Sequence, residues 1–175
     1  SIQLKKVETK SMLWKLTAVA FAATLVACGS GSDVVEADTT TIEGAIVKGP
    51  VHKAKVAAYK VNADGSRGDK LGDEVRSEAD GSYKLSFSGY SGVVVIEAAA
   101  DGETAIKDEA TGTDVKPGSS FKLRSAVSLP PTGRTFKVQV NPLTDVAVAA
   151  AQRKTGEFSA ANVEQANAEL RSSVT

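Results

Sequence analysis

The stretch "DGSYKLSFSGYSGVVVIEAAA", residues 80–100, decides the fold. Asp80-Gly81 predicts a tight turn, because Asp and Gly tolerate the positive φ angles that such turns require. In the residues after it large and polar side chains alternate, so Tyr83, Leu85 and Phe87 are expected to face one way. A second turn leads to the apolar run 93–96, which is typical of a buried strand. The stretch therefore predicts neighbouring β-strands joined by turns.

The same pattern continues on both sides, from Thr40 to Val140, in short apolar runs punctuated by Gly, Asp, Asn, Ser and Pro. Upstream, a strand with Ile42, Gly44 and Ile46 stops at Gly49-Pro50. A second strand over residues 53–61 places Ala54, Val56 and Ala58 on one face. The segment 62–72 predicts a long polar hairpin connection, and further strands are expected near residues 103–107, 121–127 and 135–140. About seven short strands in 100 residues predict a mainly β fold, an antiparallel two-sheet β-sandwich.

Several of these residues follow a known pattern: Gly44, Gly49-Pro50-Val51, Ala54-Lys55-Val56 with Tyr59, Asp80-Gly81-Ser82-Tyr83, and Tyr90-Ser91-Gly92. This pattern resembles the carboxypeptidase regulatory-like, transthyretin-type (prealbumin-like) β-sandwich domains of bacterial surface proteins. The resemblance covers about residues 40–128. It implies the sandwich fold and a role as a spacer, an adhesin building block or a binding module. Because the matched positions are turns and core residues, they support fold more than activity.

Composition excludes several function classes. The chain has 21 basic and 21 acidic residues, so there is no electrostatic reason to propose nucleic acid as a partner. One His and one Cys cannot form a Cys/His zinc site, and no intramolecular disulfide is possible. No G-x-S-x-G nucleophile motif lies near His52, which we expect to be a surface or turn residue. We therefore expect no catalytic residues, no metal and no cofactor.

The N-terminal part contains an apolar run of 12 residues, Leu16 to Ala27, preceded by Lys10 and Lys15. About 20 apolar residues are needed to span a bilayer, so this run has the length of a signal-peptide core instead. Met12 is a candidate for the true start. Four of the basic residues but one acidic residue lie within residues 1–27, so the remainder has a net charge of −3.

The run ends at the single cysteine, in the sequence Leu25-Val26-Ala27-Cys28. These four residues resemble the lipobox of bacterial lipoproteins. The resemblance implies diacylglycerol transfer to the Cys28 thiol, cleavage between Ala27 and Cys28, and acylation of the new amino terminus. Acyl chains contribute about 0.8 kcal/mol per buried CH₂, so three of them (palmitate or similar) would be a permanent membrane anchor. Gly29 after the cysteine resembles the signal for export to the outer membrane of a Gram-negative host.

The remaining segments complete the predicted organisation: a signal peptide over 1–27, a flexible tether over 28–39, a β-sandwich over 40–140 and a helical segment over 141–175. The tether is rich in Gly, Ser and Thr. In the helical segment Asn141 is expected to be an N-cap with Pro142 at the first helical position. The apolar stripe of this helix is predicted to be Leu143, Val146, Ala147 and Ala150.

A second helix is predicted to start at Ser159, with Phe158 stapled onto Val163, and with Val163, Ala166 and Leu170 on one face. The chain stops in or just after this helix, so we expect a truncated segment.

Two sequence features, a possible cross-link and a possible calcium loop, each have a plainer interpretation. A variant of the sandwich family, the Cna-B-like type, cross-links a Lys to an Asn beside an acid, roles for which Lys48, Glu97 and Asn141 are candidates. A surface lysine and a helix cap are the expected alternative. Oxygen-bearing residues at Asn62, Asp64, Ser66 and Asp69 lack the full EF-hand set, so a solvated loop is expected instead of a calcium site.

Two functions fit these observations. The first is a lipid-anchored cell-envelope protein, not an enzyme, whose sandwich is a binding or structural module for an envelope glycan or protein. The alternative is an accessory domain of an envelope enzyme whose catalytic region lies beyond residue 175. A periplasmic substrate-binding subunit is disfavoured because the chain shows no alternation of helices and strands.

Overall fold

In the computed structural model the described residues are 38–154 and 158–173, and all of them belong to one compact unit. They are mainly β. The strands are β1 (Thr39–Ala45), β2 (Val51–His52), β3 (Lys55–Val61), β4 (Arg67–Arg76), β5 (Ser82–Ser88), β6 (Gly92–Ala99), β7 (Ala105–Lys107), β8 (Asp114–Val115), β9 (Lys122–Leu129) and β10 (Thr135–Lys137). Two helices follow, α1 (Pro142–Arg153) and α2 (Ala160–Ser173).

Two sheets form the sandwich. The first has the strand order β10-β1-β5, and the second has the order β4-β3-β6-β9. All pairings in the second sheet are antiparallel, whereas β10 lies parallel to β1. A small third sheet, β2-β7-β8, accompanies them. The predicted β-sandwich is confirmed.

The main core lies between the two sheets. The predicted inward positions Tyr83, Leu85 and Phe87 are buried on β5, and Ala54, Val56 and Ala58 are fully buried in and beside β3. From β6, Val94 and Ile96 enter the same core with no exposed area. Alternation of apolar and polar residues therefore identified the inner faces correctly.

A second core lies on the other side of the four-stranded sheet. Alternate residues of β6 point to this side, where Val93, Val95 and Ala126 are covered by the two helices. Helix α1 supplies Val148 and Ala151, and α2 supplies Val163 and Ala166; Phe158 is buried with them. The molecule thus has three layers, sheet on sheet on helices.

The helices also close one edge of the sandwich. The side chain of Thr144 donates to the carbonyl of Arg124 at 2.8 Å, and Asn167 Nδ2 donates to the carbonyl of Ala126 at 3.0 Å. Both carbonyls belong to β9, the last strand of its sheet. Side-chain hydrogen bonds from α1 and α2 thereby occupy acceptors that a free edge would offer to another chain.

Four predictions about local structure were wrong or incomplete. The described residues contain ten strands, where about seven were predicted. Short strands such as β2 and β8, with two residues each, give no periodic signal. The polar segment 62–72 is not all connection, since β4 begins at Arg67. This strand is an edge strand with one buried residue, Leu71, so its polar sequence resembles that of a loop.

The Asp80-Gly81 turn is present, but it does not join a hairpin. Gly81 has φ of 82°, and its N–H donates to the carbonyl of Glu78 at 3.0 Å. The strands on either side, β4 and β5, belong to different sheets. The turn therefore carries the chain from one layer of the sandwich to the other, which turn chemistry alone does not specify.

The start of α1 is as predicted, but its buried face is not. The side chain of Asn141 accepts from Thr144 N and the side chain of Thr144 accepts from Asn141 N, each at 2.9 Å, a reciprocal cap. Leu143 and Val146 are 50% and 63% exposed, whereas Ala147, Val148 and Ala151 are buried. The helix is rotated toward α2 and β9 because both supply apolar partners there.

The second helix agrees with its prediction. Ser159 Oγ accepts from Asn162 N at 3.2 Å, which makes Ser159 the N-cap. Phe158 and Val163 are buried in one cluster, Ala166 is buried with them, and Leu170 packs against this cluster.

Candidate functional site

The predicted lipidation residues, Leu25, Val26, Ala27 and Cys28, lie outside the described residues, as does the predicted apolar run before them. No helix in segments 38–154 and 158–173 combines the length and hydropathy needed to cross a membrane. Within the same segments no three His, Cys, Asp or Glu side chains gather as a metal site would require.

The structure does not bring together the three candidate cross-linking residues. Asn141 is the cap of α1, and Lys48 Nζ lies 6.0 Å from the centre of the Phe121 ring. The Glu97 carboxylate pairs with Arg67 at 3.0 Å and with Lys122 at 3.2 Å, on the helix side of its sheet. Each residue has the role of an ordinary cap, surface lysine or ion-pair partner.

The oxygen-rich loop forms its own hydrogen bonds. Ser66 donates to the Asp64 carboxylate from both its amide and its hydroxyl, and Asn62 Nδ2 donates to Ser66 Oγ at 3.0 Å. The hydrogen bonds from Ser66 lower the pKa of Asp64. These residues form the turn between β3 and β4, which agrees with the predicted solvated loop. His52 lies on β2, half-buried, with Nε2 3.3 Å from Asp114 Oδ2.

The described residues form an open cleft of about 600 Å³. It lies on the β10-β1-β5 sheet and reaches the end of β4 and the turn after that strand. Its charged and polar lining comprises Glu43, Arg76, Glu78, Ser82, Lys84, Lys137 and Gln139. Because most of these residues sit on strands, their positions are fixed by the sheet and not by a loop. We call this groove the β1 cleft.

A close approach between β1 and the segment after β10 shapes the floor of the β1 cleft. The Tyr83 hydroxyl donates to the carbonyl of Val138 at 2.6 Å, and burial of the ring raises the pKa of Tyr83. A Cβ atom on Gly44 would lie 1.8 Å from that carbonyl oxygen. Only glycine therefore fits at position 44, which gives a physical reason for the residue that the sequence pattern singled out.

Three charged side chains form a row across the cleft. Glu43 on β1 is directly opposite Lys84 on β5 and Lys137 on β10, so all three share one face of the sheet. Neighbouring strands are about 4.8 Å apart. No described residue forms an ion pair within 4.0 Å of these three groups. Their donors and acceptors thus remain open to solvent or ligand.

Two of the other polar side chains of the cleft, Gln139 and Arg76, are oriented by hydrogen bonds to groups outside it. Gln139 Oε1 accepts from the amide of Ala45 at 3.2 Å, so its amide nitrogen is the end left to donate. Arg76 is held by Asp101, with Nη1 and Nη2 donating at 3.1 and 2.7 Å. Hydrogen bonds from Arg76 and from the amide of Glu103 strongly lower the pKa of Asp101.

Sequence reasoning missed the β1 cleft. Glu43, Lys84 and Lys137 lie far apart along the chain, and each looks like the polar half of an alternating strand. The signal that could have found them is register: once β1 is paired with both β5 and β10, the three residues must align. Periodicity does not show which strands pair, so the sequence did not predict that these three residues are neighbours.

No protein-family model matches this chain, and no curated protein is detectably similar to it. Among solved structures, it is similar to a DUF3823 family protein from Parabacteroides merdae, with a TM-score of 0.37 and 13% identity over 61% of this chain. The chain spans 46% of the length of that protein.

It is also similar to the dioxygenase domain of a dioxygenase carbohydrate-binding protein fusion from the cellulolytic bacterium Streptomyces sp. SirexAA-E. The TM-score is 0.31 and the identity 15%, over 63% of this chain and 82% of that one. Likenesses this distant support no argument about function.

Proposed function

We propose that this protein is a lipid-anchored cell-envelope protein whose β-sandwich is a non-catalytic binding or structural module. The observation that carries the proposal is the order of segments along the chain. A basic stretch and a 12-residue apolar run end at Leu25-Val26-Ala27-Cys28, a polar tether follows, and the folded β body begins at Thr39. That order supports attachment of the β domain to the membrane through a lipid-modified Cys28.

The finer identity of the sandwich is part of the proposal. Gly44 and Tyr83, two positions of the transthyretin-type pattern, contact the same carbonyl of Val138. Gly44 and Tyr83 are far apart in sequence but share this structural role. That supports a relationship between this sandwich and the carboxypeptidase regulatory-like domains. Gly29 after Cys28 supports export to the outer membrane of a Gram-negative host, facing the periplasm or the outside.

The non-catalytic role rests on the chemistry of the β1 cleft. Its described lining has lysines, an arginine, carboxylates, an amide, a serine and a tyrosine, but neither a histidine nor a cysteine. Such a set donates and accepts hydrogen bonds without a recognisable nucleophile and base pair. Binding of a polar envelope ligand, a glycan or a protein, is the activity that this chemistry supports best.

An accessory domain of an envelope enzyme is the second candidate. The exposed Leu143 and Val146 on α1 favour it, because an apolar helix face can pack against a further domain. Reading the gene beyond the codon for Thr175 tests this candidate directly. A catalytic domain in the same reading frame would support it, and an immediate stop codon would remove it.

Lipid attachment is tested by metabolic labelling of the full chain with palmitate in a Gram-negative host. The wild type is expected to be labelled and to sediment with membranes, while Cys28→Ala is expected to lose both properties. Ser30→Ala is the matched control, since it changes a neighbouring residue without removing the thiol, and it should label normally.

Mass spectrometry of the N-terminal peptide gives the second readout. A mature chain that begins with a lipid-modified Cys28 agrees with the proposal. An unmodified thiol with residues 12–27 still attached, or persistent labelling of Cys28→Ala, would show that the anchor is wrong.

A further inference from the structure

We propose that the β1 cleft binds a neutral polysaccharide chain, with Glu43 at its centre as the principal hydrogen-bond acceptor. This inference rests on the proposed function, because it names the ligand of the proposed binding module. Four observations lead to it: the row of three charges, their lack of ion-pair partners among the described residues, the oriented donor of Gln139, and the open shape of the cleft.

The row supplies donors and an acceptor at fixed spacing. Lys84, Glu43 and Lys137 are register partners on three adjacent strands, so their Cα atoms are separated in steps of about 5 Å. Ammonium groups only donate hydrogen bonds, and an ionised carboxylate only accepts them. A sugar hydroxyl does both, so a chain of hydroxyl groups laid across the strands satisfies all three residues at once.

The balance of charge favours a neutral ligand. Lys84 and Lys137 are opposed by Glu43 and by Glu78, another carboxylate in the lining. The guanidinium of Arg76 is already neutralised by the bidentate bond to Asp101. A phosphate or a uronate would meet two carboxylates as well as two ammonium groups and gain no net attraction, so the cleft offers an anion no advantage over a neutral hydroxylated chain.

The lining combines apolar surface with hydrogen-bonding groups. Gly44 and Tyr83 form the floor, and Tyr83 is 4% exposed, so its ring offers no face for stacking. Gln139 adds an amide donor that the Ala45 amide holds in place. The site therefore recognises its ligand through hydrogen bonds to preset groups, which is the chemistry of polyol binding.

Shape distinguishes a chain from a small molecule. Ligand sites have volumes of roughly 300–1,000 Å³, and the cleft, at about 600 Å³, falls within that range. It is open to solvent and not a closed cavity, so a linear ligand can extend beyond it. An open cleft of this size fits several consecutive sugar units.

The test measures binding of the full chain in detergent to neutral polysaccharides (dextran, mannan and a β-glucan) and to alginate, a uronic acid polymer, by affinity electrophoresis. At least one neutral polymer is expected to retard the protein, and alginate is not. Glu43→Gln and the double variant Lys84→Ala/Lys137→Ala are expected to weaken the interaction about tenfold or more, as expected for lost hydrogen bonds to charged groups.

Matched controls are Glu109→Gln and Lys70→Ala, which change exposed charges outside the cleft. Both should bind like the wild type, and thermal unfolding should show that every variant is folded. Preference for alginate, equal binding by Glu43→Gln, or no retardation by any of the three neutral polymers would overturn the inference. Palmitate labelling of the same preparation is measured separately, so failure of the cleft is distinguishable from failure of the anchor.

Discussion

At the scale of single residues, the sandwich depends on one carbonyl oxygen. Val138 O receives the Tyr83 hydroxyl and lies where a side chain at position 44 would begin. The hydrogen bond and the close approach join β1, β5 and the segment after β10, which are far apart in sequence. A glycine in the middle of a strand usually weakens it. Here the missing side chain allows two backbones to touch.

Gly44→Ala tests this contact. Because the new Cβ would lie 1.8 Å from Val138 O, β1 or the strand beside it must move, and we expect a loss of about 3 kcal/mol or more in unfolding free energy, or no folded protein. Gly102→Ala is the matched control, since no atom lies within 4 Å of the place that a Cβ atom would take on Gly102. Urea unfolding measures both, and similar midpoints for the two variants would contradict the argument.

Asp101 gives a pH prediction. Its folded-state pKa lies well below the ordinary value of 3.8, chiefly because of the hydrogen bond from Arg76, so the unfolded chain takes up the proton first as pH falls. The stabilisation is complete above about pH 5 and is lost as the pH drops through 3.8 toward the lowered pKa. Asp101→Asn should therefore lower the urea midpoint at pH 7 and lower it less at pH 3, where the unfolded chain already takes up the proton.

The control for this experiment is Asp73→Asn, which removes an exposed carboxylate of β4. It should leave the midpoint unchanged at pH 7. If the gap between wild type and Asp101→Asn stayed constant from pH 7 to pH 3, the Asp101–Arg76 pair would not be the source of the stability.

At the scale of elements, alternation and capping chemistry predicted most of what the structure contains. The inner positions of β3, β5 and β6 and the starts of both helices follow from local sequence, because side-chain period and N-cap geometry are local properties. The strand β4 could not be recognised, since an edge strand with polar residues on both faces has no period. Which sheet a strand joins is a non-local property, so the Asp80-Gly81 turn was assigned to a hairpin.

The prediction of the buried face of α1 was wrong for a similar reason. Leu143, Val146, Ala147 and Ala150 form a valid stripe, but Ala147, Val148 and Ala151 form another, and hydrophobicity alone favours the first. Which stripe is buried depends on the elements that pack against the helix, and α2 and β9 lie on the side of Val148. The same limit applies to the β1 cleft, whose residues become neighbours only through the pairing of β1 with β5 and β10.

Helix α1 therefore yields a comparison between two valines. Val148→Ala removes two buried methyl groups from the second core, and we expect it to lower the unfolding free energy by about 1–3 kcal/mol. Val146→Ala changes a side chain that is 63% exposed and should alter it by less than about 0.5 kcal/mol. Chemical denaturation of both proteins separates the two faces, and a larger effect at Val146 would favour the first stripe.

At the scale of the whole molecule, the four-stranded sheet is the shared middle layer. Its inner face belongs to the main core and its outer face to the second core, so β6 contributes to both through alternate residues. Neither helix is long enough to be stable alone. The helices and the sandwich should then unfold in one transition, because each depends on apolar surface that the other provides.

Shortening the chain after Lys154 tests this dependence. Loss of Phe158 and α2 would uncover Val93, Val95 and Ala126 and remove the Asn167 bond at the edge of β9. We expect a lower midpoint of thermal unfolding, binding of a hydrophobic dye, and concentration-dependent association through the opened edge. The matched variant Asn167→Ala in the full chain should open the edge without uncovering the core, and so associate without binding the dye. A shortened chain that stays monomeric, binds no dye and melts like the full chain would mean that the sandwich is stable without its helical layer.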